Sequence, residues 1–405
     1  MKIANVIRRF VFEEWGGTES AVWSLSKKFS QEGEATEILA TSALCKCADE
    51  ERDNLQIKRF DYFYPHLFLD KKRIFTLDKK GGNPFSFQLY KYILNGKFDI
   101  VHSHTLGRLG KTAVVAARKL DVPSVLTFHG GYLDVPKSEV DMMKEPLKYR
   151  LGYGKLIEKF CSMPNDAVAQ ADGIICVGEN EYEKMRSIYP NKKVAHIPNG
   201  VDVERFSKVA VSDFRKEFSI PNDRKLILCV SRIDPQKNQL ALLEMLDALL
   251  KRGENAHLAL VGFITDNSYL QKINELAKTL KLSERLTICN GLPPESDLLL
   301  SAYKSADVFA LASIHEPFGI VALEAWASGT PVIASNVGGL GRLIENGKTG
   351  FLFQVNDTPS AIDAFYDAQN YKDEICQNAY SLCAEKYSWQ AVAKQTLDFY
   401  RSLKR

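Results

Sequence analysis

Residues 307–335 read DVFALASIHEPFGIVALEAWASGTPVIAS, and the order of residue types along this stretch decides the fold. DVFALAS is a short apolar run of β type. A loop carrying Glu316, Pro317 and Gly319 follows, then a helical segment, then a second apolar strand in TPVIAS. Strand, helix and strand in that order make one parallel β-α-β unit. Strands that are apolar almost throughout fit a sheet covered on both faces. In open sheets of this kind ligands bind beyond the carboxyl ends of the strands, and Glu316 falls at such an end. Pro317 suits the first turn of a helix. Phe318, Gly319, Ile320 and Val321 then form the opening turn, whose N–H groups lack internal partners. A diphosphate can sit on such a turn, and Gly319 lets the backbone approach it closely. Glu316 is expected to reach past the phosphate to sugar hydroxyls. Glu324, about a turn and a half beyond Gly319, offers two acceptor oxygens to a ribose diol.

The same alternation extends in both directions. Upstream in the second half, RKLILCVSRID, HLALVGF and RLTICNG read as strands, separated by helical stretches such as NQLALLEMLDALLKRG. In the first half, KIANVIRRF, EATEILAT, FDIVHSH, VPSVLTFHG, ADGIICVGE and KVAHIPNG repeat the pattern. The polar and glycine residues gather at strand ends: Gly16-Gly17, His104, His129-Gly130, Asn199-Gly200, Arg232, Gly262 and Glu316. Two α/β domains in tandem, with a boundary near residue 205, are the economical reading. In Ser231-Arg232-Ile233-Asp234-Pro235-Gln236-Lys237-Asn238 an Arg and a Lys five residues apart share one loop. They can converge on one anion, the Arg as a planar fork and the Lys as a point charge.

At this point the chain resembles a known family, the retaining glycosyltransferases of family 4 with the GT-B fold, the glycosyl transferases group 1. Glu316-x7-Glu324, inside E-P-F-G-I-V-x-x-E-A-x-A-x-G-x-P-V-I-A, is similar to that family's E-x7-E motif. The resemblance covers essentially the whole chain. It implies two Rossmann-like domains facing each other across a cleft, with KYSWQAVAKQTLDFYRSLKR as a last helix that crosses back to the N-terminal domain. The expected division is 1–204 for acceptor binding, 205–385 for nucleotide-sugar binding and 386–405 for the crossing helix. Arg232 and Lys237 resemble the pair that holds the donor diphosphate and neutralises the leaving group, where developing charge most needs stabilising. Trp15-Gly16-Gly17-Thr18 is similar to the family's glycine-rich first loop. The resemblance implies Gly17 near the donor phosphate and Gly16 on the acceptor side. Thr127-Phe128-His129-Gly130 resembles the histidine motif that puts His129 near the reacting sugar. His102-Ser103-His104 resembles a D-x-x-H-x-H strand end, and strand alternation sets His102 and His104 on one face. Asn290-Gly291-Leu292 falls where family members contact the base, and Asn199-Gly200-Val201-Asp202 matches the domain junction. Trp389 and Tyr400 read as packing anchors. The chain departs from the family at Gly338-Gly339-Leu340-Gly341-Arg342, where Arg342 stands in place of an acid.

Composition excludes other classes. A net charge of +3 in 405 residues gives no basic surface for nucleic acid. The length suits two or three domains of roughly 100–200 residues each. The eight cysteines, Cys45, Cys47, Cys161, Cys176, Cys229, Cys289, Cys376 and Cys383, are scattered and several lie in apolar strands, as in a reducing compartment. Cys45-x-Cys47 has no second ligand pair. The start, MKIANVIRRF, is too short and charged for a signal peptide, and no run approaches the roughly 18 apolar residues of a membrane span. The expected location is therefore cytoplasmic, with peripheral contact at the membrane's inner face. Gly339-x-Gly341 lacks the third glycine and the ribose-binding acid of a dinucleotide fingerprint, which removes a dehydrogenase.

The expected activity is retaining transfer of a hexosyl unit from a nucleotide-diphosphate sugar, a UDP-sugar ahead of GDP-mannose, to a glycan, lipid-linked or small-molecule acceptor, in cell-surface polysaccharide or glycolipid synthesis. There is no Asp-x-Asp motif, so neither a metal nor any cofactor beyond the donor is expected. Two alternatives remain: a sugar-nucleotide epimerase of the same architecture and a catalytically inactive sugar-nucleotide-binding subunit. The acceptor is expected between about residues 60 and 160. There Phe60, Tyr62, Phe63, Tyr64 and Phe68 lie near Lys71, Lys72 and Arg73, a mixture suited to anionic lipid.

Overall fold

The computed structural model describes residues 1–12, 16–45, 49–79, 81–130, 145–148 and 150–403. Trp15, Cys47 and Lys80 lie outside the described residues. Contacts divide the chain into two units: Met1–Pro198 with Val392–Arg405, and Asn199–Ala391. The divisions therefore fall at 198/199 and 391/392 rather than at 204/205 and 385/386. Local packing explains the shift. Val201 donates to Tyr387 O at 2.8 Å and its own carbonyl accepts from Trp389 N at 3.2 Å. Gly200 lies so close to the Trp389 indole that a Cβ there would stand 2.6 Å from the ring. The Asn199–Asp202 segment and the first turn of the last helix are thus tied together inside the second unit.

In the first unit, strands β1 (Lys2–Arg9), β2 (Ala35–Thr41), β3 (Glu50–Arg52), β4 (Leu55–Phe60), β5 (Ile100–Ser103), β6 (Ser124–Phe128), β7 (Gly173–Cys176) and β8 (Lys193–His196) form one sheet. Their order is β3-β4-β2-β1-β5-β6-β7-β8. The β3–β4 pair is antiparallel and the other neighbours are parallel. The order reverses at β1, which lies between β2 and β5. Both faces are covered. Leu89, Ile93, Leu109, Ala113 and Ala117 pack over Ala4, Val6 and Val101 on one side. Val22 and Trp23 pack over Ile7, Ile38 and Ile57. The last helix, Trp389–Leu403, belongs to this unit from Val392 on. Tyr400 is fully buried in it against Phe29 and His102.

In the second unit, β9 (Lys225–Val230), β10 (Ala256–Val261), β11 (Leu286–Cys289), β12 (Val308–Leu311), β13 (Val332–Ser335) and β14 (Phe351–Phe353) pair in the order β11-β10-β9-β12-β13-β14, all parallel. Here the reversal is at β9, flanked by β10 and β12. The helix Gln239–Lys251 buries Leu242, Leu243, Met245, Leu246 and Leu249, the stripe its sequence spacing implies. The helix Ile320–Ala327 is apolar nearly all round and buries Ala322, Leu323, Ala325, Trp326 and Ala327, as a core helix must.

Among the described residues no helix is long and apolar enough to cross a membrane. Cys45, Cys161, Cys176, Cys229, Cys289, Cys376 and Cys383 are free thiols. The aromatic stretch around residues 60–68 is less uniform than its sequence suggests. Phe60 and Tyr64 are buried, and Phe68 is 83% exposed. Tyr62 and Tyr64 face inward to donate to Asp78 at 2.7 and 2.8 Å.

Candidate active site

Ligands in parallel sheets collect where the strand order reverses, and the sequence motifs lie at those places. In the second unit β9 runs into Ser231–Asp234 and β12 into Ser313–Glu316. Asp234 accepts from Gln236 N at 3.1 Å and so caps the short 3₁₀ turn Pro235–Lys237. Ile314 N donates to Gln236 O at 2.9 Å, and Gln236 Nε2 donates to His315 O at 3.2 Å, which locks the two loops side by side. The result is a direct ion pair: Lys237 Nζ stands 2.5 Å from Glu316 Oε2, with both side chains nearly buried. Arg232 is more open. Its guanidinium is half exposed, 3.3 Å from Asp234 Oδ2 and 3.1 Å from Gln236 Oε1. The loop therefore brings Lys237 to Glu316 and leaves Arg232 on the solvent side.

Two glycines hold Glu316 and Pro317 in place. Gly339 N donates to Glu316 O at 2.7 Å. A Cβ at Gly338 would stand 2.5 Å from Glu316 O, and one at Gly339 would stand 2.2 Å from Pro317 O. Larger residues would push the 336–339 loop away. Gly319 is left-handed, φ +94°, a conformation that glycine adopts without penalty. This corrects the sequence reading of the helix start. Pro317 and Phe318 precede the helix, which begins at Ile320 because a left-handed residue cannot continue an α-helix. Gly319 caps it without a side-chain bond, so the first-turn amides around Ile320 and Val321 stay available to an anion.

Glu324 lies on the same helix. Its Oε2 accepts from Tyr303 OH at 2.6 Å. Burial pushes its carboxyl up, opposed by the Tyr303 hydrogen bond and by Arg205. One carboxylate oxygen is thus held while Oε1 has no hydrogen-bond partner among the described residues. Gly262 follows β10 beneath the Ser231 loop, where a Cβ would stand 1.8 Å from Ser231 O. Gly291, φ +75°, presses on the Phe263 ring, which is 43% exposed, beside the half-buried Leu292. Arg342 is exposed on the short helix Leu340–Leu343.

In the first unit the corresponding residues lie beyond β1, β5 and β6. Gly16 is the N-cap of the helix Gly17–Gln31 and makes no side-chain cap bond. Beside it Arg9 Nε is 3.2 Å from Glu19 Oε1. His102 and His104 share a face, their ring centroids 3.9 Å apart. His102 meets Thr127 Oγ1 at 2.6 Å and Tyr400 OH at 2.5 Å. His104 Nδ1 is 3.1 Å from His129 Nε2. Burial drives all three imidazoles toward the neutral form, His102 to about 3, His129 to about 4 and His104 well below its ordinary value. Sequence reasoning singled out neither Asp234 and Gln236, which order the Lys237 loop, nor Tyr303, which orients Glu324. The Asp-Pro pair that opens a turn was the available signal for Asp234. Tyr303 gave none, because its role depends on a contact between two helices, 21 residues apart in sequence.

Residues 15–205 match the family model for Glycosyltransferase Family 4, and residues 210–382 match the model for glycosyl transferases group 1. The chain is 30% identical to the D-inositol 3-phosphate glycosyltransferase of Nocardia farcinica over 318 residues, 76% of this chain and 67% of that one. It is 33% identical over 237 residues to a glycosyltransferase of Methanocaldococcus jannaschii, 56% of this chain and 59% of that one. It is also 33% identical over 247 residues to a D-inositol 3-phosphate glycosyltransferase of Corynebacterium urealyticum, 58% of each. The matches thus span just under three fifths of the length of the latter two relatives. Among solved structures, Anabaena HepE in complex with UDP superposes with a TM-score of 0.71 at 16% identity, over 99% of this chain and 100% of that one. Sucrose-phosphate synthase from Thermosynechococcus elongatus gives 0.70 at 21%, over 99% and 98%. Both show the same two-domain fold.

Proposed function

The chain belongs to the family 4 glycosyltransferases, the glycosyl transferases group 1, with the GT-B fold, and on that premise we propose that it moves a hexosyl unit from a nucleoside-diphosphate sugar to a hydroxyl acceptor, with retention and without a metal ion. The observation that carries this reading is the Lys237–Glu316 pair at the β9/β12 reversal, beside a helix N-terminus with open amides. A cation, an array of amides and a carboxylate are what a diphosphate and a sugar diol each require.

In the proposed reaction Lys237, Arg232 and the amides of Ile320 and Val321 hold the diphosphate. Glu316 accepts hydrogen bonds from sugar hydroxyls, Glu324 Oε1 accepts from the ribose, and His129 contacts the sugar. The bond from the anomeric carbon to the phosphate oxygen breaks, and the acceptor oxygen bonds that carbon on the same face. The acceptor's proton passes to the leaving phosphate. The products are a glycoside and a nucleoside diphosphate. Cations around the phosphate stabilise the charge that develops there.

A UDP-sugar is the favoured donor, ahead of GDP-mannose, and the UDP and UDP-glucose bound to the Anabaena protein support that order. Calorimetry without added metal tests it, with UDP, GDP and their hexose conjugates as ligands. One nucleotide is expected to bind, and Arg232→Ala is expected to weaken it by about tenfold, the loss of one charge-assisted bond. Failure of every nucleotide to bind would count against the donor site.

The acceptor is proposed to be lipid-linked. Phe68, Leu151, Leu156 and Phe160 are exposed on adjoining segments, since Leu67 N donates to Leu151 O at 2.9 Å. Lys71, Lys72, Lys155 and Lys159 flank them. Apolar side chains among cations suit an anionic membrane surface. Co-sedimentation with anionic vesicles is expected and should fall several-fold in Phe68→Ser with Phe160→Ser. Equal recovery with and without vesicles would remove the lipid surface from the reading.

A further inference from the structure

Parallel pairing sets Asn5 of β1 opposite His102 of β5, with β6 alongside β5. The residues just beyond β5 and β6, His104 and His129, therefore arrive at the same sheet edge, and the side chains form an ordered line. Asn5 Nδ2 stands 3.1 Å from Ser26 Oγ and 2.9 Å from Thr36 Oγ1. The amide is assigned as donating to both, which turns Oδ1 to His104 Nε2 at 3.3 Å. A carbonyl oxygen accepts and cannot donate, so His104 carries its proton on Nε2. Burial keeps His104 neutral, and its Nδ1 is then a lone pair. That lone pair faces His129 Nε2 at 3.1 Å, so His129 carries its own proton on Nε2. The remaining nitrogen, His129 Nδ1, is buried and has no partner among the described residues. Buried polar atoms are almost always satisfied, and an unpaired acceptor in a sugar enzyme invites a hydroxyl.

We propose that Asn5 is a positioning residue which, through His104, fixes His129 with a bare Nδ1 that accepts a hydrogen bond from a hydroxyl of the sugar substrate. The inference rests on the reading that His129 contacts a sugar. The polarity is the new element. A hydroxyl that meets His129 must donate, which leaves its oxygen free to accept from elsewhere. A relay of opposite polarity would present an N–H and select an acceptor.

The test uses the full chain labelled with ¹⁵N-histidine and long-range proton–nitrogen correlation, which separates a protonated from a lone-pair ring nitrogen. His129 is expected to show the proton on Nε2 and the lone pair on Nδ1. In Asn5→Leu the dominance of that form is lost and kcat falls about tenfold, one hydrogen bond's worth, with nucleoside-diphosphate affinity unchanged. A proton on His129 Nδ1 in the unaltered protein overturns the proposal without any variant having to fold. So does an Asn5→Leu spectrum identical to it. Adding UDP-glucose is expected to shift the Nδ1 resonance, and UDP alone is not. A fixed tautomer with an unmoved Nδ1 at saturating UDP-glucose overturns the sugar contact. Failure of both ligands to bind at all overturns the glycosyl-transfer reading instead, while the tautomer measurement still decides the relay.

Discussion

Glu316→Ala is expected to lower kcat by at least about a hundredfold, the usual contribution of a positioned polar group, without weakening the nucleoside diphosphate. Both halves follow from one contact. Without ligand the Glu316 carboxylate lies 2.5 Å from Lys237 and competes with phosphate for that ammonium. Removing it leaves Lys237 available to the diphosphate, so affinity for a nucleoside diphosphate should hold or rise. The sugar loses the acceptor that orients its hydroxyls, and the loss appears in turnover. Glu316→Gln is expected to do the same with the side chain's size kept, because an amide cannot pair with Lys237 as a carboxylate does. Steady-state kinetics with calorimetry on the same preparations reads both. Turnover within about twofold of the unaltered protein would remove Glu316 from the reaction. Nucleotide affinity that collapsed with turnover would mean that the substitution had disrupted the loop, not the chemistry.

The sequence showed the alternation of strands and helices, because parallel strands buried on both faces are continuous apolar runs. It did not show the β3–β4 hairpin. Glu50–Arg52 is polar, and its turn is made by Asp53 and Asn54, both left-handed, φ 51° and 61°, with no glycine to announce it. The three residues of β14 are equally short of signal. The helix starts three residues later than its sequence suggests because Gly319 is left-handed, and the loop packed against the preceding Glu316 and Pro317, at Gly338 and Gly339, is distant in sequence. The site was legible as residue types and less so as pairs. Arg232 and Lys237 share a loop, yet Lys237 pairs with Glu316, 79 residues away. Strand alternation set His102 and His104 on one face. The bond from His104 to Asn5 spans 99 residues and follows from sheet order, which no local pattern encodes.

Lowering the pH from about 7 to about 5 is expected to destabilise the first unit by roughly 5 kcal/mol, from three histidines at about 1.4 kcal/mol per pH unit each below their ordinary value. In the unfolded chain each titrates near 6.5. In the folded unit His102 is held down to about 3 and His129 to about 4, with His104 well below 6.5. Burial is the main cause, and neighbouring imidazoles add repulsion to His102 and His104. Their hydrogen-bond partners, Thr127, Tyr400, Asn5 and one another, bring no carboxylate to stabilise an imidazolium. Between pH 6.5 and 4 the unfolded chain therefore binds more protons than the folded one, and the free energy of unfolding falls as pH falls. The contribution is complete above 6.5. Its decline ends only where the folded histidines take up protons, near 4 and then 3. Surface carboxylates lose their share of stability below about pH 5, so the interval from 6.5 to 5 isolates the histidines. In the second unit His257, held down to about 4, acts in the same sense. Glu324, pushed up by burial, acts in the opposite one, since its folded form holds its proton more tightly. The first unit should thus unfold at a higher pH than the second. Urea melts at fixed pH, read at Trp23 for the first unit and at Trp326 and Trp389 for the second, give the two midpoints. His104→Phe should flatten the first unit's slope with pH. A first-unit midpoint that stays level from pH 7 to pH 5 would mean that the cluster takes up protons in place, and the neutral relay from Asn5 to His129 would then not persist down to pH 5.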